Sequence, residues 1–359
     1  MGFRLWSFVL KFGNIFASTS LASIQYNKCK NVCNIIISIV LAVGGVLGLT
    51  IKKFYSEFNT TRRICSVVGD ALLYCISFYF IIVLNFWKKH LWTSLYEGLK
   101  RTAKLSCVET TKSKIPFYCG FIIMNCGHFT VHALVLYYRR DNLGVHLLKE
   151  GVFYIEAYFD FCYKFLLCVI LNMLLTRYRA LNNLLQVYTK TKTDRKFSKH
   201  FLNQVEYIMG SLRKTVDVFN DMFGWPVLFM TFYTVPSVLN LINLIFFSAE
   251  TYGPLEVKWI GGLLAAWFFF GVIILIIMYD RVIREAENVV TGSYELKFFM
   301  KTTGWNDLKT EESVRFLMKN SPKFTAANFF EIGRWTILSL FETIIAFTIP
   351  MIQFETVTQ

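Results

Sequence analysis

Seven apolar runs, each long enough to cross a bilayer as a helix, constrain this chain more than any other feature. A span takes about 20 mainly apolar residues. Such runs lie at roughly 34–51, 66–87, 115–138, 151–176, 224–247, 259–279 and 327–354 of the 359 residues. Hydrocarbon offers no partner to a bare backbone N–H or C=O, so each run is predicted to be a helix. The expected fold is an all-α membrane protein with seven transmembrane helices. Composition agrees: 55% of residues are hydrophobic and 17% are charged, against roughly 25% charged in a soluble domain. The same figures exclude a disordered chain. The net charge of +14 is expected on loops beside membrane lipid, with no nucleic-acid partner.

The basic residues set the orientation. Taking the N-terminus together with loops 88–114, 177–223 and 280–326 gathers 28 Lys and Arg, against 8 on the other side. The positive-inside rule then places the N-terminus in the cytoplasm and the C-terminus outside. The sequon Asn59-Thr60-Thr61 falls in a loop on the outer side of that topology, which makes Asn59 a candidate glycosylation site. Residues 1–33 carry Arg4, Lys11, Lys28 and Lys30 around an apolar face and read as a cytoplasmic or interfacial segment, not a signal peptide.

Two inner loops are long for connectors. In 177–223, Phe201, Leu202, Val205, Ile208, Met209, Leu212, Val216 and Phe219 recur at threes and fours, the mark of one apolar helical face. In 280–326, Val282, Ile283, Ala286, Val289 and Val290 continue the sixth span until Gly304. The fourth to seventh spans are thus expected to extend as helices into the cytoplasm. Their packing serves assembly between chains or packing within one. The expected division is 1–33 as N-terminal segment, 34–279 as six spans with a ligand pocket, 280–326 as anchor segment, and 327–359 as a last helix with a short outer tail.

The sequence shows no catalytic constellation: no P-loop, dinucleotide fingerprint, zinc-protease motif or nucleophile elbow is present. No enzyme activity, cofactor or metal is expected. Polar groups inside spans are costly and point to function. Glu156, Asp160 and Lys164 are spaced by four and share one helical stripe, where Asp160 and Lys164 can pair. Tyr154 and Tyr158 flank them, Asp70 lies in the second span, and His128 and His132 share a face of the third. Asn240 and Trp267 complete a candidate ligand-binding set. An outward-opening pocket for a small polar ligand and an internal network holding helices together are equal readings.

The last span is the least lipid-like. Ser339, Thr343, Phe347, Pro350 and Phe354 recur at three or four, beside Ala346 and Gln353. Such a stripe faces either a water-filled axis shared by several copies or a closely packed neighbour. Glu355 follows directly, where several copies around such an axis would form a carboxylate ring.

The segment Phe324-Thr325-Ala326-Ala327-Asn328-Phe329-Phe330 and the closing Gln353-Phe354 resemble the end of insect gustatory receptors. That family closes on Thr-Tyr, five hydrophobic residues, then Gln-Phe; Ala346 and Phe347 stand here in place of Thr-Tyr. Arg177-Tyr178-Arg179-Ala180-Leu181-Asn182 after the fourth span and Phe219–Pro226 at the fifth fit as well. The resemblance implies a ligand-gated, non-selective cation channel in the plasma membrane of sensory-neuron dendrites. It would be a homotetramer or a heteromer with related receptors, opened by a small-molecule tastant. The last span would line the pore, with Gln353 and Phe354 near the outer gate. A seven-span receptor without its own pore and a small-solute transporter are the alternatives.

The topology is open to direct test. An N-terminal epitope tag is expected to stain only after permeabilisation, and Asn59→Gln to abolish a glycosidase-sensitive gel shift. Surface staining of the tag in intact cells reverses the orientation.

Overall fold

The computed structural model describes residues 36, 39, 60–105, 122, 125–130, 133, 134, 137, 143–191, 195–247, 255–302 and 308–358. Helix α1 spans Thr60–Phe78 and continues as a π-helical stretch, Tyr79–Trp87. It is followed by α2 (Lys89–Leu105), α3 (Leu143–Thr191), α4 (Arg195–Phe247) and α5 (Leu255–Thr302). A short α6 (Leu308–Lys319), a two-residue ladder of β1 (Thr325–Ala326) with β2 (Phe330–Glu331), and α7 (Arg334–Thr358) complete the chain. The protein is all-α apart from this ladder among its described residues.

Five described helices are long and apolar enough to cross a membrane: Arg62–Trp87, Ile155–Tyr188, Phe201–Asn243, Ala265–Phe298 and Arg334–Gln353. They correspond to the expected second, fourth, fifth, sixth and seventh spans. The expected first span lies almost wholly outside the described residues, and the third is described as helix only in part. Helix α3 has 49 residues, α4 has 53 and α5 has 48. At 1.5 Å per residue each is about 70–80 Å long, more than twice the roughly 30 Å of hydrocarbon. The excess projects from one end of the spans, the basic end, as the amphipathic spacing of 201–219 led us to expect.

Contacts fix the direction of each rod. Residues 164, 179 and 185 of α3 meet residues 271, 285 and 292 of α5, so α3 and α5 are parallel. Helix α4 runs against both neighbours: Gly69 meets Tyr233, Phe80 meets Phe223 and Gly98 meets Thr215, while Tyr233 meets Phe268 and Phe219 meets Tyr279. Helix α7 is antiparallel to α5 through Arg334 with Asp280 and Phe341 with Phe269. This alternation is what successive crossings of one bilayer require.

Within the π-helical stretch, the buried Asn85 side-chain amide donates to two backbone carbonyls, Ile81 at 2.9 Å and Phe80 at 3.3 Å. Phe80 then lies flat on Tyr163 of α3, with ring centres 3.7 Å apart. Lys88 ends the stretch and donates to the Tyr79 hydroxyl at 2.9 Å and to the Asp221 carbonyl. Burial pushes its ammonium below its ordinary pKa, with Asp221 pulling the other way.

One boundary differs from expectation. The last helix starts at Arg334, not at Ala327, because residues 324–332 form a tight hairpin. Phe329 N–H donates to the Ala326 carbonyl at 2.9 Å, and Ile332 N–H to the Phe324 carbonyl at 2.8 Å. At the tip, Ala327 (φ 50°) and Asn328 (φ 63°) are both left-handed, a conformation Asn tolerates and Ala resists. Neighbours hold the turn in place. Phe324 packs edge-on to Tyr279 and Phe219, and Asn220 donates to the Lys323 carbonyl at 2.7 Å. The tip sits against Gly224 of α4, where a Cβ would lie 2.8 Å from the Ala327 nitrogen.

Gly224→Ala is expected to lower the melting temperature of the detergent-solubilised protein. Overpacking costs about 1–3 kcal/mol and outweighs the roughly 1 kcal/mol by which Ala favours a helix over Gly. Gly210→Ala is the control, since its Cβ would meet only the Phe316 ring, at 3.5 Å, and it is expected to leave the melt unchanged or raise it.

Candidate functional site

Two regions carry the candidate residues. The first is a layer across the spans on the side away from the basic end. Asp160 is fully buried, and Glu156 and Lys164 are nearly so. Lys164 Nζ meets Asp160 Oδ2 at 2.5 Å and lies 5.2 Å from the centre of the Phe268 ring. Its stem passes Gly271 of α5, where a Cβ would come within 3.3 Å. A bare position on α5 thus admits a lysine into the α3–α5 seam. Desolvation is severe for two charges in such a seam, and their mutual contact offsets it.

An aromatic cluster adjoins this pair. His128 lies 5.3 Å from the Tyr158 ring and stacks on Phe161 at 5.5 Å. Phe161 in turn meets Trp267 at 6.2 Å. Tyr158 hydroxyl donates to Asn125 Oδ1 at 3.0 Å. Gly127 leaves room for the Trp267 ring, whose edge would be 3.0 Å from a Cβ there. Tyr233 joins the same level from α4, against Phe268 and against Gly69, which adjoins Asp70.

The structure therefore brings His128, Asp160 and Trp267 to one level, with Asp70 beside it and Glu156 one turn along α3. Asn240 is seven residues beyond Tyr233 on α4, about 10 Å further along the rod. Asn59 and His132 lie outside the described residues, as does the side chain of Tyr154. Asn125, Phe161, Tyr233 and Phe268 are additional members. Asn125 was within reach of the pattern, since it precedes His128 by three and shares its helical face.

The second region is α7. Thr336, Leu340, Ile344 and Met351 are buried against the protomer. Ser339, Ala346, Phe347, Pro350 and Gln353 are exposed, Phe347 by 58%. Thr343 is half-buried, and its hydroxyl donates to the Ser339 carbonyl at 2.7 Å. The side chains of Phe354 and Glu355 lie outside the described residues. At its base α7 is clamped to α5: Arg334 Nε reaches Asp280 Oδ1 at 3.0 Å and Oδ2 at 3.1 Å. Arg284 reaches the same carboxylate at 2.5 Å.

This combination is a seven-span pattern, helices continued far beyond the bilayer, and a last span joined through a hairpin. The sequence profile described as 7tm Chemosensory receptor matches residues 7–358. The chain belongs to the 7tm chemosensory receptor family. This chemosensory receptor is therefore a multi-pass membrane protein. Its fold is similar to the insect olfactory receptor OR5 from Machilis hrabei, with a TM-score of 0.65 at 12% identity, covering 98% of each chain. It is also similar to the same receptor in complex with eugenol, with a TM-score of 0.68 at 11% identity, covering 98% of this chain and 99% of that one. No curated protein sequence matches the chain.

The buried pair makes an asymmetric prediction. Lys164→Met alone is expected to cost about 3–5 kcal/mol by stranding Asp160. The double variant Asp160→Leu/Lys164→Met is expected to recover most of that loss, as read by thermal unfolding in detergent. Equal losses for the single and the double variant would contradict it.

Proposed function

We propose that this receptor is a gustatory chemoreceptor that acts as a ligand-gated, non-selective cation channel in the plasma membrane of sensory neurons. The observation that carries the reading is the surface of α7. A helix with Ser339 and Gln353 exposed together in the protomer presents polar groups that lipid solvates poorly. Four copies arranged around an axis give that face water. The closing Gln353-Phe354 favours the gustatory branch of the superfamily.

In this reading the N-terminus and the basic end are cytoplasmic, and α6 with the extensions of α4 and α5 forms the anchor of a homotetramer or a heteromer with related receptors. Helix α7 then runs outward, so its C-terminal carbonyls, partially negative, lie at the outer mouth and favour cations. Glu355 adds a carboxylate there. The tastant binds in the outer half, around Asp70, His128, Glu156, Asp160 and Trp267, with His132, Tyr154 and Asn240 contributing. Binding of eugenol by the olfactory receptor of similar fold supports a small-molecule ligand. Binding opens the channel only if the ligand favours the open arrangement over the closed one.

Whole-cell recording of the chain against a tastant panel tests the reading. Gln353→Ala and Glu355→Gln are expected to change reversal potential or gating. Glu156→Gln is expected to abolish the ligand response while surface expression persists. Currents unchanged in both α7 variants would remove the pore from this helix.

A further inference from the structure

Helix α7 carries one ionisable side chain well inside its span, Glu342. It sits eight residues beyond Arg334 and eleven before Gln353, about 12 Å and 16 Å along the axis. That depth is within the hydrocarbon. The side chain is exposed in the protomer and has no ion-pair or hydrogen-bonding partner among the described residues. A carboxylate in that position against lipid costs several kcal/mol.

Its neighbours on the helix surface are informative. Ser339, Glu342, Ala346, Ile349 and Gln353 are spaced three, four, three and four apart, so they form one straight stripe, and all five are exposed. The buried residues Leu340, Ile344 and Met351 occupy the far side.

A second observation points to the same stripe. Pro350 lies inside α7 and has no N–H, so the carbonyl of Ala346, one turn above Glu342, loses its usual intrahelical donor. An unmatched carbonyl is costly in hydrocarbon and costs little in water. Two oxygen acceptors, one charged, thus fall on one uncovered side of the helix at mid-membrane depth.

We propose that Glu342, with the Ala346 carbonyl, forms a mid-membrane binding site for hydrated cations, built as a ring by copies of this chain. The proposal rests on the pore reading above and sharpens it, because it turns the wet face of α7 toward Glu342 and away from Phe347. The ring sets the preference for cations over anions and raises the share of divalent ions carried.

The test uses the full chain reconstituted in liposomes, with the wild type's own cysteines as the blank. Spin labels are placed singly by S339C, E342C, I345C and Q353C. Accessibility to a water-soluble nickel chelate is compared with accessibility to oxygen, which partitions into lipid. Position 342 is expected to give a chelate-to-oxygen ratio several-fold above position 345. If 339 and 353 report water and 342 reports lipid, this proposal falls and the pore reading stands. If all of them report lipid, the pore reading falls and takes this proposal with it.

Ion flux supplies the second arm. E342Q is expected to lower calcium relative to sodium permeability several-fold, and E342D to retain most of it. The exposed control E331Q is expected to leave the ratio unchanged. An unchanged ratio in E342Q overturns the assignment of selectivity to this residue.

Discussion

Hydrocarbon leaves no backbone amide or carbonyl without a partner, and the whole architecture follows from that constraint. It makes the spans helical. It explains why buried hydroxyls turn back onto their own helices, as Thr231 does to Val227 and Thr234 to Met230, at 2.8 and 2.9 Å. In the π-helical stretch the buried Asn85 amide likewise turns back onto its own helix, to the carbonyls of Phe80 and Ile81. The ladder of β1 and β2 stands outside the spans, before α7 enters its own. On α7, the side that carries the Ala346 carbonyl released by Pro350 and the Glu342 carboxylate is uncovered in the protomer.

The joint between α4, α5 and α7 concentrates specific contacts in a short length of chain. Phe324 wedges between Phe219 and Tyr279, the turn at Ala327 seats on Gly224, and Arg334 grips Asp280. Arg213 adds a bond to the Ser321 carbonyl at 2.6 Å. These contacts tie the start of the last span to the two rods that also reach the polar layer around Asp160. The two candidate regions therefore share a mechanical frame, although no residue belongs to both.

Much of this was legible in the sequence. The apolar face from Leu202 to Phe219 is buried as its spacing required, and the sixth span continues through Val282, Ala286 and Val289 to end at Thr302, just before Gly304. The Asp160–Lys164 pair followed from a spacing of four. The hairpin did not show, because its left-handed tip is Ala327-Asn328 and carries no glycine, and its flanks are as apolar as a span. Packing against Gly224 and Phe219 decides it, and those residues are a hundred positions away. The clamp of Arg334 on Asp280 spans 54 residues and has no local signature. Glu342 was within reach of the rule that singles out Glu156 and Asp160. A stripe counted in steps of four drifts around the helix and passes it by.

The length of α3, α4 and α5 means that one molecule is held together in two solvents. Beyond the bilayer, Leu202, Val205, Met209 and Leu212 are buried from water, and the ordinary hydrophobic effect holds them. Within it, lipid is as apolar as leucine, and close fit and polar contacts do that work. Urea and cold weaken only the first of these. Under either stress the projecting bundle should loosen while the intramembrane rods keep their places, so this receptor comes apart in stages, from its watery end inward.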